Sequence, residues 1–145
     1  MINRFTNNFE FLSNFYICPF VYNDKKYLTI EHAYQSFKSL NESEQEWVRL
    51  APTASLAKSF GRKVKKRTDW DNIKYNLMLK LVRIKFKNNN LKKLLINTGN
   101  EELIEGNYWH DNIWGDCNCD KCKNINGQNW LGKILMQVRN EIKLN

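Results

Sequence analysis

Apolar residues recur at helical spacing over much of this chain and alternate at strand spacing only briefly. Ile30, Ala33, Tyr34 and Phe37 keep the i, i+3, i+4, i+7 interval of one buried helix face, and Thr29 stands where a side chain can cap that helix. Trp70, Ile73, Leu77, Leu81 and Ile84 line one side of a longer stretch. There Asp69 is the cap, Lys80, Arg83, Lys85 and Lys87 project elsewhere, and Asn88-Asn89-Asn90 is the stop, which predicts a central core helix. Trp130, Leu131, Ile134, Leu135, Val138 and Ile142 predict a final helix from about Asn129 to Lys143. Shorter helices are expected after a Ser43/Glu46 capping box, ending by Pro52, from Thr53 to near Gly61, and over Leu91 to Asn97 before Gly99. Val21 to Tyr27 reads as two short strands with a turn at Asn23-Asp24, and Leu103-Ile104-Glu105 as a strand leading into an aromatic loop. The predicted class is mainly α, with a small β-hairpin near the N-terminus.

Composition narrows this picture. A chain of 145 residues, 42% hydrophobic and 13% aromatic, is expected to form a single compact domain over 1–145, with no Ser/Gly-rich linker to divide it. No segment approaches the roughly 20 apolar residues needed to span a bilayer, and Met1 to Asn8 carries no long apolar run, so a cytoplasmic protein is expected, or one of the host cytoplasm if viral. The formal charge of +8 favours an anionic partner: nucleic acid, a nucleotide or a sugar phosphate. No G-x-G-x-x-G turn suggests a redox nucleotide cofactor, and no pattern speaks to oligomeric state.

Ordered blocks carry a resemblance. Phe11-Leu12-Ser13-Asn14-Phe15-Tyr16 precedes Tyr27-Leu28-Thr29-Ile30-Glu31-His32-Ala33-Tyr34-Gln35, Ala57-Lys58-Ser59-Phe60-Gly61-Arg62 follows, and Trp114-Gly115-Asp116 leads to Asn129-Trp130-Leu131-Gly132-Lys133-Ile134-Leu135-Met136-Gln137-Val138-Arg139. In this order and over nearly the whole chain, they resemble the YbiA-like NADAR family. The resemblance implies a mostly α-helical domain with N-glycosidase chemistry, and two substrate classes: phosphorylated ribosylamino-pyrimidines of early riboflavin biosynthesis, and ADP-ribose attached to guanine in nucleic acid. The rival reading is a non-catalytic module that binds ADP-ribose, NAD or nucleic acid, which the basic run and aromatic loops would serve equally.

Cleaving a ribosyl C–N bond builds positive charge on the sugar and negative charge on the departing base, so it calls for a carboxylate near the anomeric carbon and a donor near the base. Glu31, in a first helical turn that favours its ionised form, suits the first role, although any acid is welcome at such a position. With the resemblance it is the central catalytic candidate. Gln35 and Lys38 continue its stripe at i+4 and i+7, with Lys38 a candidate phosphate ligand. Asp116 is the second catalytic carboxylate, Trp114 a flat face for stacking a base, and Gly115 a point of close backbone approach. Asn14 and Phe15 present an amide and a ring from one aromatic loop, while Asn129 either caps the final helix or offers its amide to a ligand. Arg62, after Gly61, leads the basic run Arg62, Lys63, Lys65, Lys66 and Arg67 and is the expected phosphate-binding member. His32 is read as a satisfied structural side chain and Arg139 as an ion-pair partner.

Cys117, Cys119 and Cys122 give a C-x-C-x2-C arrangement that His110 or Cys18 could complete as a structural zinc site; reduced thiols without metal are the competing reading. Many relatives have a glycine-rich loop here, so the resemblance assigns these cysteines no family-wide catalytic duty.

Overall fold

In the computed structural model, which describes residues 1–145, the chain forms two compact units: Asn14–Lys85, and Met1–Ser13 together with Phe86–Asn145. The mainly helical class and the N-terminal hairpin are as expected. No helix is long and apolar enough to cross a membrane.

The 14–85 unit opens with antiparallel strands β1 (Phe20–Tyr22) and β2 (Lys25–Tyr27), paired with Phe20 opposite Tyr27. Between them Asn23 and Asp24 both take left-handed backbone, φ 51° and 64°, as a tight two-residue hairpin turn requires and as Asn and Asp tolerate best after glycine. Helix α1 (Ile30–Ser36) then starts at Thr29, whose Oγ1 accepts the His32 backbone N–H at 3.2 Å. All seven of its residues are buried, and α2 (Glu42–Arg49), α3 (Ala54–Gly61) and α4 (Trp70–Lys85) pack against it.

Two local expectations are corrected in this unit. The cap of α2 is Asn41, whose side chain accepts the Glu44 N–H at 3.0 Å, and not Ser43. Asn is at least as good a cap as Ser, and the earlier start frees Glu46 to meet Arg49 at 2.6 Å and Lys25 at 2.8 Å. Those two cations hold the Glu46 carboxyl down to about 2. The buried face of α4 is also wider than the one read in the sequence: Trp70, Leu77 and Leu81 are buried as expected, Met78, Val82 and Lys85 join them, and Ile73 and Ile84 are only half-buried. Lys85 thus faces inward rather than to solvent.

In the other unit, a 3-10 turn over Asn7–Leu12 sets Phe11 edge-on to Phe86, ring centres 6.4 Å apart. The expected strand at Leu103 is reduced to one bridge with Ile2, and the paired strands are instead β3 (Gly106–Asn107) and β4 (Asp116–Cys117), parallel, with Gly106 opposite Asp116. Asn88 both ends the preceding chain and caps α5 (Asn89–Asn97), accepting the Leu91 N–H at 3.1 Å. Helix α6 (Trp130–Leu144) packs on α5, and its buried Arg139 donates to Thr98 Oγ1 at 2.8 Å and to the Glu101 carbonyl at 2.9 Å, with no ion pair.

His32 is structural, as read. Its Nε2 meets the Ala51 carbonyl at 2.9 Å and its Nδ1 meets Thr29 Oγ1 at 2.8 Å, an arrangement that fits the neutral ring protonated on Nε2. Burial lowers its pKa, partly offset by the Ala51 carbonyl. A histidine held neutral in the fold lets the unfolded chain bind the extra proton, so stability is fully present above the ordinary 6.5 and is lost as pH falls through the lower folded value. Urea unfolding between pH 8 and pH 5 is therefore expected to show stability falling toward acid. In His32→Asn the slope over that window should flatten, even though the variant starts less stable.

Candidate active site

Glu31 sits in the first turn of α1, with residue exposure of only 7%. The helix end is fixed from outside, because the Asn14 carbonyl accepts the Glu31 backbone N–H at 3.1 Å. The carboxylate is fixed from within: Gln35, one turn on, donates from Nε2 to Glu31 Oε1 at 2.7 Å. A buried carboxylate without donors would be costly, and this amide also chooses its orientation. Gln35 itself is oriented by space, since a Cβ on Gly61 at the end of α3 would collide with the Gln35 side chain. Sequence spacing could pair Glu31 with Gln35, but it could not reveal Gly61 beneath them.

Two acceptors in this unit are buried and lack a protein partner: Gln35 Oε1 and Asn14 Oδ1. The Asn14 amide nitrogen makes only a weak contact with Met78 Sδ, at 3.6 Å. Native interiors satisfy nearly all buried acceptors, so a pair left over beside a buried carboxylate fits a ligand carrying hydroxyl groups. Phe15 is exposed, and Lys58 Nζ stands 5.9 Å from the centre of its ring.

Cations gather near Lys38, which also feels this carboxylate. Lys38 is half-buried just past α1, and its pKa is lowered by burial, opposed by Glu31 and reinforced by Lys66, Arg62 and Lys58. These groups therefore share one electrostatic field. Arg62 closes α3, and of the basic run only Arg67 is committed to an acid, pairing with Asp69 at 2.6 Å. Arg62, Lys63, Lys65 and Lys66 are exposed. Four cations and one carboxylate within a shared field make this a region of net positive potential.

Lys85 is the residue that sequence reading missed. It is 2% exposed, its Nζ is 5.5 Å from the centre of the Tyr16 ring, and burial pushes its pKa down to about 7, with Cys18 opposing. The signal was present, since Met78, Leu81, Val82 and Lys85 also keep the i, i+3, i+4, i+7 interval. Burial of this kind disfavours the charged ammonium.

Trp114, Gly115, Asp116 and Asn129 belong to the other unit. Trp114 meets Trp130 edge to face at 5.4 Å, and its backbone N–H donates to Asp111 Oδ1 at 2.9 Å. Gly115 leaves no room for a Cβ, which would strike the Glu105 carbonyl. Asp116 accepts the Gly127 N–H at 3.1 Å and, with Asn129 and Lys133, lines a cleft of about 550 Å³. Asn129 makes no side-chain cap on α6. Its backbone is left-handed at φ 51°, and its amide ties two strand-end groups, donating to the Leu103 carbonyl at 2.9 Å and accepting from the Glu105 N–H at 3.0 Å. The first α6 amides are likewise taken: Trp130 N–H donates to the Ile113 carbonyl at 3.0 Å and Leu131 N–H to that of Trp114 at 3.1 Å. These two amides are therefore not offered to an anion.

Proteins of known family are similar to this chain. N-glycosidase YbiA of Escherichia coli (strain K12) is 31% identical, over 99% of this chain and 89% of its own length. A riboflavin biosynthesis protein of Vibrio vulnificus is 36% identical, over 94% of this chain and 36% of its own. The NMR structure of the E. coli protein YbiA matches the fold with a TM-score of 0.83 at 30% identity, covering 99% of this chain and 85% of that one. The chain is thus an enzyme of the N-glycosidase class. It belongs to the NADAR domain family, whose model matches residues 3–143.

The dependence of Glu31 on Gln35, and of Gln35 on Gly61, is open to test. Gly61→Ala forces a methyl against the Gln35 amide and is expected to cost about 1–3 kcal/mol of stability, read by urea unfolding. Because the displaced amide is the one holding the carboxylate, turnover should fall more than the loss of folded protein explains.

Proposed function

We propose that the protein hydrolyses the bond between C1 of a 5-phosphorylated ribosyl group and the nitrogen of a base. Two substrates share that chemistry: ribosylamino-pyrimidine phosphates of riboflavin biosynthesis, and ADP-ribose joined to guanine, where the pyrophosphate hangs from C5 of the attached ribose. The observation that carries the reading is the Glu31 carboxylate, buried, held by Gln35 and acting on Lys38 together with Lys58, Arg62 and Lys66. A carboxylate alone would serve many reactions. Surrounded by phosphate-binding cations and two unpartnered acceptors, it suits a sugar phosphate.

In this reading the cations hold the phosphate and fix the ribose. Gln35 Oε1 and Asn14 Oδ1 accept its hydroxyl protons, and Glu31 faces C1. As the C1–N bond breaks, its electron pair leaves with the base, and Glu31 stabilises the positive charge left on the sugar. Water adds its oxygen to C1 and one of its protons passes to the carboxylate; that proton is then passed on to the base nitrogen, which returns Glu31 to its ionised form. For Trp114 we propose stacking on a base, and for Asp116 the role of second carboxylate.

The test offers both substrates separately to the wild type and to Glu31→Gln, with free base followed by mass spectrometry. Glu31→Gln keeps the amide packing, so it should fold normally while turnover on the true substrate drops by at least about a hundredfold. Lys38→Met and Arg62→Ala should chiefly raise KM. Near-wild-type cleavage by Glu31→Gln would remove Glu31 from the mechanism, and salt-sensitive binding of both substrates without product would make the chain a recognition module.

A further inference from the structure

A second cluster of reactive side chains, outside the Glu31 site, lies in the loop that carries β4. His110 Nδ1 is 3.3 Å from Cys119 Sγ, 3.4 Å from Cys122 Sγ and 4.0 Å from Cys117 Sγ. All four ligand atoms fall within 4.8 Å of one another. Around a tetrahedral zinc ion, with bonds of about 2.3 Å to sulfur and 2.0 Å to nitrogen, the sulfur–nitrogen edges are about 3.5 Å and the sulfur–sulfur edges about 3.8 Å. The cluster therefore has the dimensions of a zinc site, opened slightly. Three thiols packed together with an imidazole have no use in a hydrophobic core, and a disulfide would employ only two of them.

The surroundings also fit thiolate ligands. The backbone N–H of His110 points at Cys117 Sγ from 3.3 Å, and Asn112 Nδ2 donates to Cys122 Sγ at 3.4 Å. Such donors orient metal-bound sulfur and disperse its charge. Asn112 also accepts the Cys117 N–H at 2.9 Å, tying one ligand's backbone to another's side chain. His110 holds left-handed backbone at φ 68°, a conformation that needs outside support in a non-glycine residue.

We infer that His110, Cys117, Cys119 and Cys122 bind one Zn²⁺ as a closed structural site, which anchors the segment Trp114-Gly115-Asp116 through its neighbour Cys117. Four protein ligands leave no coordination position for substrate, so the metal serves structure rather than the glycosidase reaction. Between Tyr108 and Gln128 the regular structure is only β4 and a 3-10 turn at Asp120–Cys122. A crosslink among four points of this loop supplies the order that so short a set of elements does not.

The test uses the full chain, reduced and stripped of metal, titrated with Zn²⁺ and separately with Co²⁺. One metal per chain should bind, and Co²⁺ should give thiolate charge-transfer bands with the strong visible absorption of tetrahedral cobalt. Cys119→Ser should weaken binding by more than about a hundredfold, beyond what loss of an outer partner costs, and His110→Ala should do likewise. Amide exchange on the wild type covers the case of a variant that fails to fold: Zn²⁺ should protect residues 108–128 and leave α1 unchanged. No uptake of either metal, octahedral cobalt, binding unaffected by Cys119→Ser, or no zinc-dependent protection of 108–128 would overturn the inference.

Discussion

Helix α1 is buried along its whole length, yet it carries a carboxylate, an imidazole and an amide. Each of these polar groups must find partners within the interior, because an unmet one costs a few kcal/mol, on the order of what a well-packed apolar side chain contributes. His32 meets this demand through Thr29 and Ala51, and Glu31 meets it through Gln35. The neighbouring elements follow from the same constraint: Gly61 lacks a side chain where Gln35 needs space, and the Asn14 carbonyl is turned to the Glu31 amide. What this network leaves over, Gln35 Oε1 and Asn14 Oδ1, is where a ligand can complete it.

Chemistry follows from how the site is held. In the proposed reaction, a carboxylate already fixed by one amide needs little reorganisation as charge develops on the sugar. The same cations are part of the basic excess of the chain, which composition alone left divided among nucleic acid, nucleotide and sugar phosphate. In the other unit, the first two amides of the helix beside Asn129 are satisfied by the Ile113 and Trp114 carbonyls, and Lys133 lines the neighbouring cleft.

Much of this was legible in the sequence, where local rules govern. Thr29 and Thr53 cap the helices they precede, Asn23-Asp24 makes the hairpin turn, and the i+4 spacing of Glu31 and Gln35 becomes a hydrogen bond. Competition between equal signals was not legible: Asn41 outcompetes Ser43 as a cap because both are good ones. On α4, Trp70, Leu77 and Leu81 were legible, but Lys85 was misplaced because a lysine counts as polar in any pattern, whereas tertiary packing encloses it. The parallel pairing of β3 with β4 and the convergence of His110 with three cysteines depend on loop paths that no periodicity encodes.

The central claim is that the Glu31 network and its cations bind a ribose carrying a 5-phosphate. Titrating ribose 5-phosphate, the fragment common to both proposed substrates, into the isotope-labelled protein while recording backbone amide spectra tests this most directly. The account predicts saturable shifts centred on Asn14, Glu31 to Lys38 and Lys58 to Lys66, weakened by salt and lost in Arg62→Ala. Saturable shifts that leave those residues untouched, or no binding in low salt, would contradict it.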